Sequence, residues 1–205
     1  MIDSQKFGAS TARGILKALR HKPEQFGLRM DRDGWVDTLE LGHAVNQMFQ
    51  SKSQWDRSSI QRLTIELGLS DRIQFRGDAC RASYGHSTNR FRPSSLATPD
   101  SCLFHGTSDL IYPSIEYLGI LPMKRQFVQL TTDFDYAREV ASKLPGNPVV
   151  LQISTYSAEQ LKVRFYSTGT HVWLATTIPT SCLQVWMDNA VSISNNFSWN
   201  DWYGA

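Results

Sequence analysis

Four short segments bring arginine or histidine together with small, flexible backbone: LRHK at 19–22, CRASYGHS at 80–87, LFHGTSD at 103–109 and MKRQFVQLTTD at 123–133. Arg20, Arg81 and Arg125 each offer a planar fork of N–H donors that suits a phosphate, and His21 can add a hydrogen bond or a proton. In CRASYGHS, Gly85 would let a ligand approach the backbone closely, with His86 and Ser87 as polar contacts. In LFHGTSD, Leu103 and Phe104 place His105 at a strand end, Gly106 permits a tight turn and Thr107 supplies a hydroxyl. Each segment also has a plainer reading. Cations favour the last turn of any helix, an arginine can lie exposed on a hairpin, a histidine can be satisfied in a core, and Arg125 can be a solvated loop residue before an edge strand. No Ser-His-Asp order, carboxylate pair or cysteine nucleophile stands out. Chemistry resting on Arg and His points to holding an anionic substrate and neutralising charge that develops on it, and phosphate is the natural candidate.

The elements that must position these residues follow from periodicity. Ala12, Ile15, Leu16 and Leu19 fall at helical spacing over 10–19, and Pro23 forces the preceding residue out of helical geometry, so LRHK is a helix C-terminus. Asp37 can cap a second helix carrying Leu41, Ala44, Val45, Met48 and Phe49 on one face, and a third runs over 58–67 with Gly68 as its stop. IQFRGDACRAS reads as a hairpin around Gly77 and Asp78, so helices and a small hairpin predict a winged-helix lobe over 1–92. The Pro-, Ser- and Thr-rich run at 89–101 reads as a linker. A second lobe over 99–188 carries the strand-like runs CLFHGT, RQFVQLTT, NPVVLQIS and HVWLATTI, with helices near 109–118 and 133–144. Helix and strand do not alternate strictly, which predicts an α+β fold with a curved antiparallel sheet. The aromatic tail at 189–205 has no role assigned to it.

Composition bounds the rest. A 205-residue chain that is 41% hydrophobic can bury a real core, and a formal charge of +2 leaves any phosphate binding to local clustering. Cys80, Cys102 and Cys182 show neither a disulfide framework nor metal-ligand spacing. With no signal peptide or membrane span read in the sequence, a soluble protein in a reducing cytoplasm is expected. Neither GxGxxG nor GxxxxGK[ST] occurs, which argues against a Rossmann site or a P-loop.

Taken in order, LRHKP, DGWV at 33–36, CRASYGHS, LFHGT, MKRQFVQLT and RFYSTGTHVWLATTIP at 164–179 resemble the motifs of the KptA/Tpt1 family of NAD-dependent RNA 2′-phosphotransferases. The resemblance spans about residues 10–183. It implies a winged-helix N-terminal lobe, a C-terminal lobe similar to NAD-binding ADP-ribosyltransferases, and an active site between them. It also implies a two-step reaction. The RNA 2′-phosphate attacks the anomeric carbon of the nicotinamide ribose and expels nicotinamide; the 2″-hydroxyl of that ribose then attacks phosphorus, releasing 2′-hydroxyl RNA and ADP-ribose 1″,2″-cyclic phosphate.

By the same resemblance the catalytic set is Arg20, His21, Arg81 and Arg125. The first three would hold the 2′-phosphate, and Arg125 would stabilise phosphoryl charge in the second step. His86, Ser87, His105, Gly106, Thr107 and Gln129 would line the NAD pocket. NAD is consumed as co-substrate, no metal is needed, and the implied partner is 2′-phosphorylated RNA, tRNA among the candidates, met by a monomer. The chain departs from the pattern at Tyr84, where the family has Gln, and at Phe127 and Gln129, where it has His. Thr170 and His171 replace the usual Asn-Gly. The changes at Phe127 and Gln129 motivate one alternative, transfer of ADP-ribose to a nucleic-acid terminal phosphate or a protein without the second step; a second alternative is a non-catalytic RNA- or NAD-binding module, against which the retention of Arg125 argues.

Overall fold

A computed structural model describes residues 4–50, 52, 54–87, 91, 93, 96–100 and 102–186. The expected tail at 189–205 lies outside the described residues, as do residues 89, 90, 92, 94, 95 and 101 of the expected linker. Helix α1 (Ser4–Arg20) ends where the sequence predicts but begins earlier than residue 10. A short 3-10 turn at Pro23–Phe26 follows it. Strand β1 (Val36–Asp37) leads into α2 (Thr38–Phe49), whose first amides at Leu39 and Glu40 donate to the Asp37 carboxylate at 2.7 and 3.2 Å. Such a cap stabilises a helix by about 1 kcal/mol. Helix α3 (Arg57–Glu66) starts from a capping box between Asp56 and Ser59. Strands β2 (Ile73–Arg76) and β3 (Ala79–Ala82) form the expected hairpin, and β1 completes a three-stranded antiparallel sheet in the order β1-β3-β2. Its core joins Ile15, Leu19, Leu41, Ile60, Ile73 and Cys80.

The second half is a six-stranded sheet in the order β7-β8-β5-β4-β6-β9, every pairing antiparallel. Its strands are β4 (Leu103–Ser108), β5 (Val128–Thr131), β6 (Pro148–Ile153), β7 (Phe165–Ser167), β8 (Val172–Ala175) and β9 (Leu183–Val185). Helices α4 (Tyr112–Leu118), α5 (Phe134–Ser142) and α6 (Thr155–Gln160) flank it. The mixed helix and antiparallel sheet bear out the α+β class. α4 starts later than residue 109 because Asp109 accepts from the backbone and side-chain amides of Asn147, at 2.8 and 2.6 Å, and so ties two loops instead of capping a helix. β9 and α6 were not foreseen.

A third cluster, Tyr84, Phe91, Val172 and Leu174 with Phe127, Tyr136 and Tyr166 against it, packs the two halves together. The three cysteines are free, and among the described residues no helix is long and apolar enough to cross a membrane.

Candidate functional site

The end of α1 delivers Arg20 into the interior, where the residue is only 8% exposed. Its guanidinium carbon lies 4.9 Å from the centre of the Tyr84 ring, yet Nε and Nη2 have no hydrogen-bond partner among the described residues. Burial pulls its pKa down to about 10, with the neighbouring Arg125 charge acting in the same direction. A buried cation with idle donors is costly unless an anion meets it.

Gly85 explains how the cations converge. Its φ of +88° suits glycine, and a Cβ there would stand 2.8 Å from Arg125 Nη1 and 3.2 Å from Arg20 Cζ. The close approach expected of a ligand at Gly85 is therefore made by the protein's own guanidinium groups. Ser87 N donates to the Arg20 carbonyl at 3.1 Å, and its hydroxyl sits 2.9 Å from His21 Nδ1. Arg125 Nη1 donates to the Gly85 carbonyl at 3.4 Å. With its amide oxygen turned toward them, Gln129 accepts from Arg125 Nη1 at 2.9 Å and Gly85 N at 3.3 Å. Arg20, His21, Ser87, Arg125 and Gln129 thus meet around one glycine. His21 is held below its ordinary pKa, first by burial and then by the charges of Arg125, Arg20 and Lys17. An arriving phosphate would reverse the charge effect and favour the protonated, donating imidazole.

Arg81 stands on the neighbouring sheet. Its Nε donates to Gln74 Oε1 at 2.9 Å, its Nη1 to the Asp33 carbonyl at 3.0 Å, and its guanidinium carbon lies 4.5 Å from the centre of the Trp35 ring. Together the Arg20, Arg81 and His21 charges, after burial, push His86 down to about 3. His86 is 2% exposed and stacked on Phe91 at 3.8 Å, so it is a neutral wall between the cations, and it is absent from the lining of the groove described next.

That groove, of about 760 Å³, is bounded by β4, β5, α4, α5 and the segment 119–127. His105, Gly106, Thr107, Arg125, Gln129 and Tyr136 are among its walls, and the rest is largely apolar. His105 is half-buried in the middle of β4, opposite Leu151, and not at a strand end. Its Nδ1 lies 3.0 Å from the Gln129 carbonyl, and burial lowers its pKa. A neutral ring donating from Nδ1 keeps Nε2 as an acceptor for a ligand hydroxyl. Gly106 likewise makes no turn. It pairs with Val150, and a Cβ would stand 2.1 Å from the Ala137 carbonyl oxygen, so its glycine admits the backbone of α5.

β5 is an interior strand, not an edge, and Arg125 precedes it in a loop. Phe127 lies edge-on to Tyr166 at 5.4 Å, inside the aromatic seam. Sequence reasoning gave no role to Gln74, Trp35 or Tyr136. The hairpin register, fixed by the turn at Gly77 and Asp78, pairs Gln74 with Arg81 and could have found the first; Tyr136 reaches the site through tertiary packing alone. Among the described residues no three His, Cys, Asp or Glu side chains gather as metal ligands would.

A bay of guanidinium donors opens onto an apolar groove, an arrangement that could take an anion with an organic group beside it; the groove's volume falls within the ~300–1,000 Å³ typical of small-molecule sites. The model of the family described as RNA 2′-phosphotransferase, Tpt1/KptA family, matches residues 8–177. The chain belongs to that family. It is 32% identical over 186 residues to a probable RNA 2′-phosphotransferase of Bacillus thuringiensis subsp. konkukian, covering 90% of this chain and 98% of the relative. A protein of the same description from Acetivibrio thermocellus is 31% identical with the same coverage. One from Thermococcus kodakarensis is 33% identical over 165 residues, or 80% of this chain and 89% of the relative.

Proposed function

We propose that the chain removes an internal RNA 2′-phosphate by the two-step, NAD-consuming reaction set out above. The observation that carries the reading is Arg20, a residue only 8% exposed whose Nε and Nη2 have no hydrogen-bond partner among the described residues. Buried donors in native proteins are normally satisfied, so such a pair marks a place prepared for an acceptor. Arg20 and His21 would hold the 2′-phosphate with Arg81, and Arg125 would face charge building on phosphorus. Arg20 and Arg125 share the space above Gly85, which supports a single site for both steps.

The groove fits NAD in chemistry as well as volume. The bound cofactor would supply an electrophilic ribose carbon. His105 would accept from a ribose hydroxyl, Thr107 would offer another polar contact, and the apolar wall would exclude water that could compete with the phosphate. Gln129, already bonded to Arg125 and Gly85, would keep the junction and the groove in register.

The three helices and small antiparallel sheet support a winged-helix RNA-binding lobe over 1–92, and the six-stranded antiparallel sheet supports an ADP-ribosyltransferase-like lobe over 99–188.

The test is incubation of the purified protein with a short RNA bearing one internal 2′-phosphate, with and without NAD, followed by mass analysis of RNA and cofactor. Conversion to 2′-hydroxyl RNA with ADP-ribose cyclic phosphate, only when NAD is present, is expected. An RNA heavier by one ADP-ribose would confine the activity to the first step, and no change would overturn the reading.

A further inference from the structure

Side chains alternate across the small sheet, so its two faces differ. Ile73, Val36, Cys80 and Ala82 turn into the N-terminal core. Gln74 pairs with Arg81 and Arg76 with Ala79, which puts Gln74, Arg76 and Arg81 on the opposite face. Val36 pairs with Cys80, so Trp35 comes alongside Arg81 on that face as well. There the guanidinium carbons of Arg76 and Arg81 lie 4.3 and 4.5 Å from the centre of the Trp35 ring.

The two arginines are held differently. Arg81 is fixed by Gln74 and the Asp33 carbonyl, and Gln74 in turn donates its amide to the Thr168 carbonyl in the other half of the molecule. Arg76 is exposed, and its contact to Trp35 leaves its guanidinium without a hydrogen bond or ion pair among the described residues. Two like charges over one ring repel each other: the Arg76 charge disfavours the charged form of Arg81, while the Asp33 and Asp31 charges favour it. Cation–π contact offsets this repulsion by only about 1 kcal/mol per arginine. The pair becomes favourable when a second anion arrives next to the one that Arg81 faces.

We propose that Arg76 is an RNA-backbone contact, taking the 3′,5′-phosphodiester beside the 2′-phosphate while Trp35 keeps it at a fixed distance from Arg81. An internal 2′-phosphate always has such a neighbour, because the same ribose carries the 3′ linkage. Two anions on one sugar match two guanidinium groups on one ring. A free 2′-phosphorylated mononucleotide has no phosphodiester and gains nothing from Arg76. The inference rests on the functional reading above and adds to it the requirement for a polynucleotide.

The test compares the full-length protein with its Arg76→Ala and Arg76→Lys variants. Binding of a short fluorescent single-stranded RNA with one internal 2′-phosphate is measured across a salt series, and adenosine 2′-monophosphate serves as the ligand lacking a phosphodiester. Arg76→Ala is expected to weaken RNA binding about tenfold and to reduce the slope of log K against log salt by roughly 0.7, one phosphate contact on a single strand. Its affinity for the mononucleotide stays unchanged, and Arg76→Lys restores the salt slope. Unchanged RNA affinity and slope in Arg76→Ala would overturn the proposal. Equal weakening for both ligands would overturn it too, since Arg76 would then act by supporting Trp35 and Arg81. Failure of the unaltered protein to bind either phosphorylated ligand would instead overturn the functional reading on which the proposal rests.

Discussion

Gly85 and Gly106 use the same missing side chain against opposite neighbours. At Gly85 the space is filled by the guanidinium groups of Arg20 and Arg125, and at Gly106 it is filled by the backbone of α5 at Ala137 and Ala141. The first arrangement gathers like charge that, on the proposed function, an anion would neutralise; the second seats a helix on the sheet that walls the groove. On the proposed function, the glycine beside charged side-chain ends would serve binding, and the one beside backbone serves the fold. Substitutions should separate the two regions by moving activity at the first and stability at the second.

The largest effect is expected at the groove. Gly106→Ala places a methyl 2.1 Å from a carbonyl oxygen and 2.9 Å from an amide nitrogen. Neither atom can rotate away as a side chain would, so α5 must lift from β4, at a cost of about 3 kcal/mol or more. Denaturant unfolding measures it directly. A loss under about 1 kcal/mol would show that α5 shifts freely and that the groove is less rigid than its packing.

At the junction the signs divide. Arg20→Met keeps the length of the side chain and removes a buried charge that Arg125 and Arg72 repel. Removal of 2′-phosphate is expected to fall by more than about 100-fold, while stability holds or rises by about 1 kcal/mol. A midpoint shifted to lower denaturant would make Arg20 a structural residue and erase the contrast with Gly106.

His86 sharpens the contrast through pH. Its folded pKa of about 3 lies below the ordinary 6.5, so between those values the unfolded chain takes up a proton that the folded chain refuses. Its contribution to stability is complete above about 6.5 and is lost as pH falls toward 3, at up to about 1.4 kcal/mol per pH unit. Unfolding measured from pH 7 to 5 should show this slope. His86→Phe keeps a ring on Phe91 and should flatten it. His105, also held neutral by burial, leaves a residual slope of the same sign.

What was legible in the sequence was local. The end of α1, the Asp37 cap and the turn at Gly77 and Asp78 each depend on residues within one or two turns of chain, and each lies where its signal puts it. The candidate residues could be named from their types and order, but their state could not. Arg20 reads as a solvated helix end until Tyr84 and Gly85, distant in sequence, close over it. His105 and Gly106 read as a strand end and a turn because the pairing that runs through them involves β6, more than forty residues away. β9 and α6 carry too few residues for a periodic signal, and sheet pairing and packing define them.

The smallest effect is expected at Tyr84, which reaches from the junction to the groove through Tyr136. Its ring lies beneath Arg20, and its hydroxyl is 3.4 Å from that of Tyr136, which lines the groove. A contact of that length is a weak hydrogen bond, so Tyr84→Phe should cost no more than about 0.5 kcal/mol and leave activity within roughly twofold. Tyr84→Leu removes the ring as well, and with it a cation–π contact worth about 1 kcal/mol, enough to raise the KM for 2′-phosphorylated RNA about fivefold without a matching change for NAD. Equal KM increases for both substrates in Tyr84→Phe would point the other way: the tyrosine pair would then be coupling the junction to the groove, and the two regions would act as one.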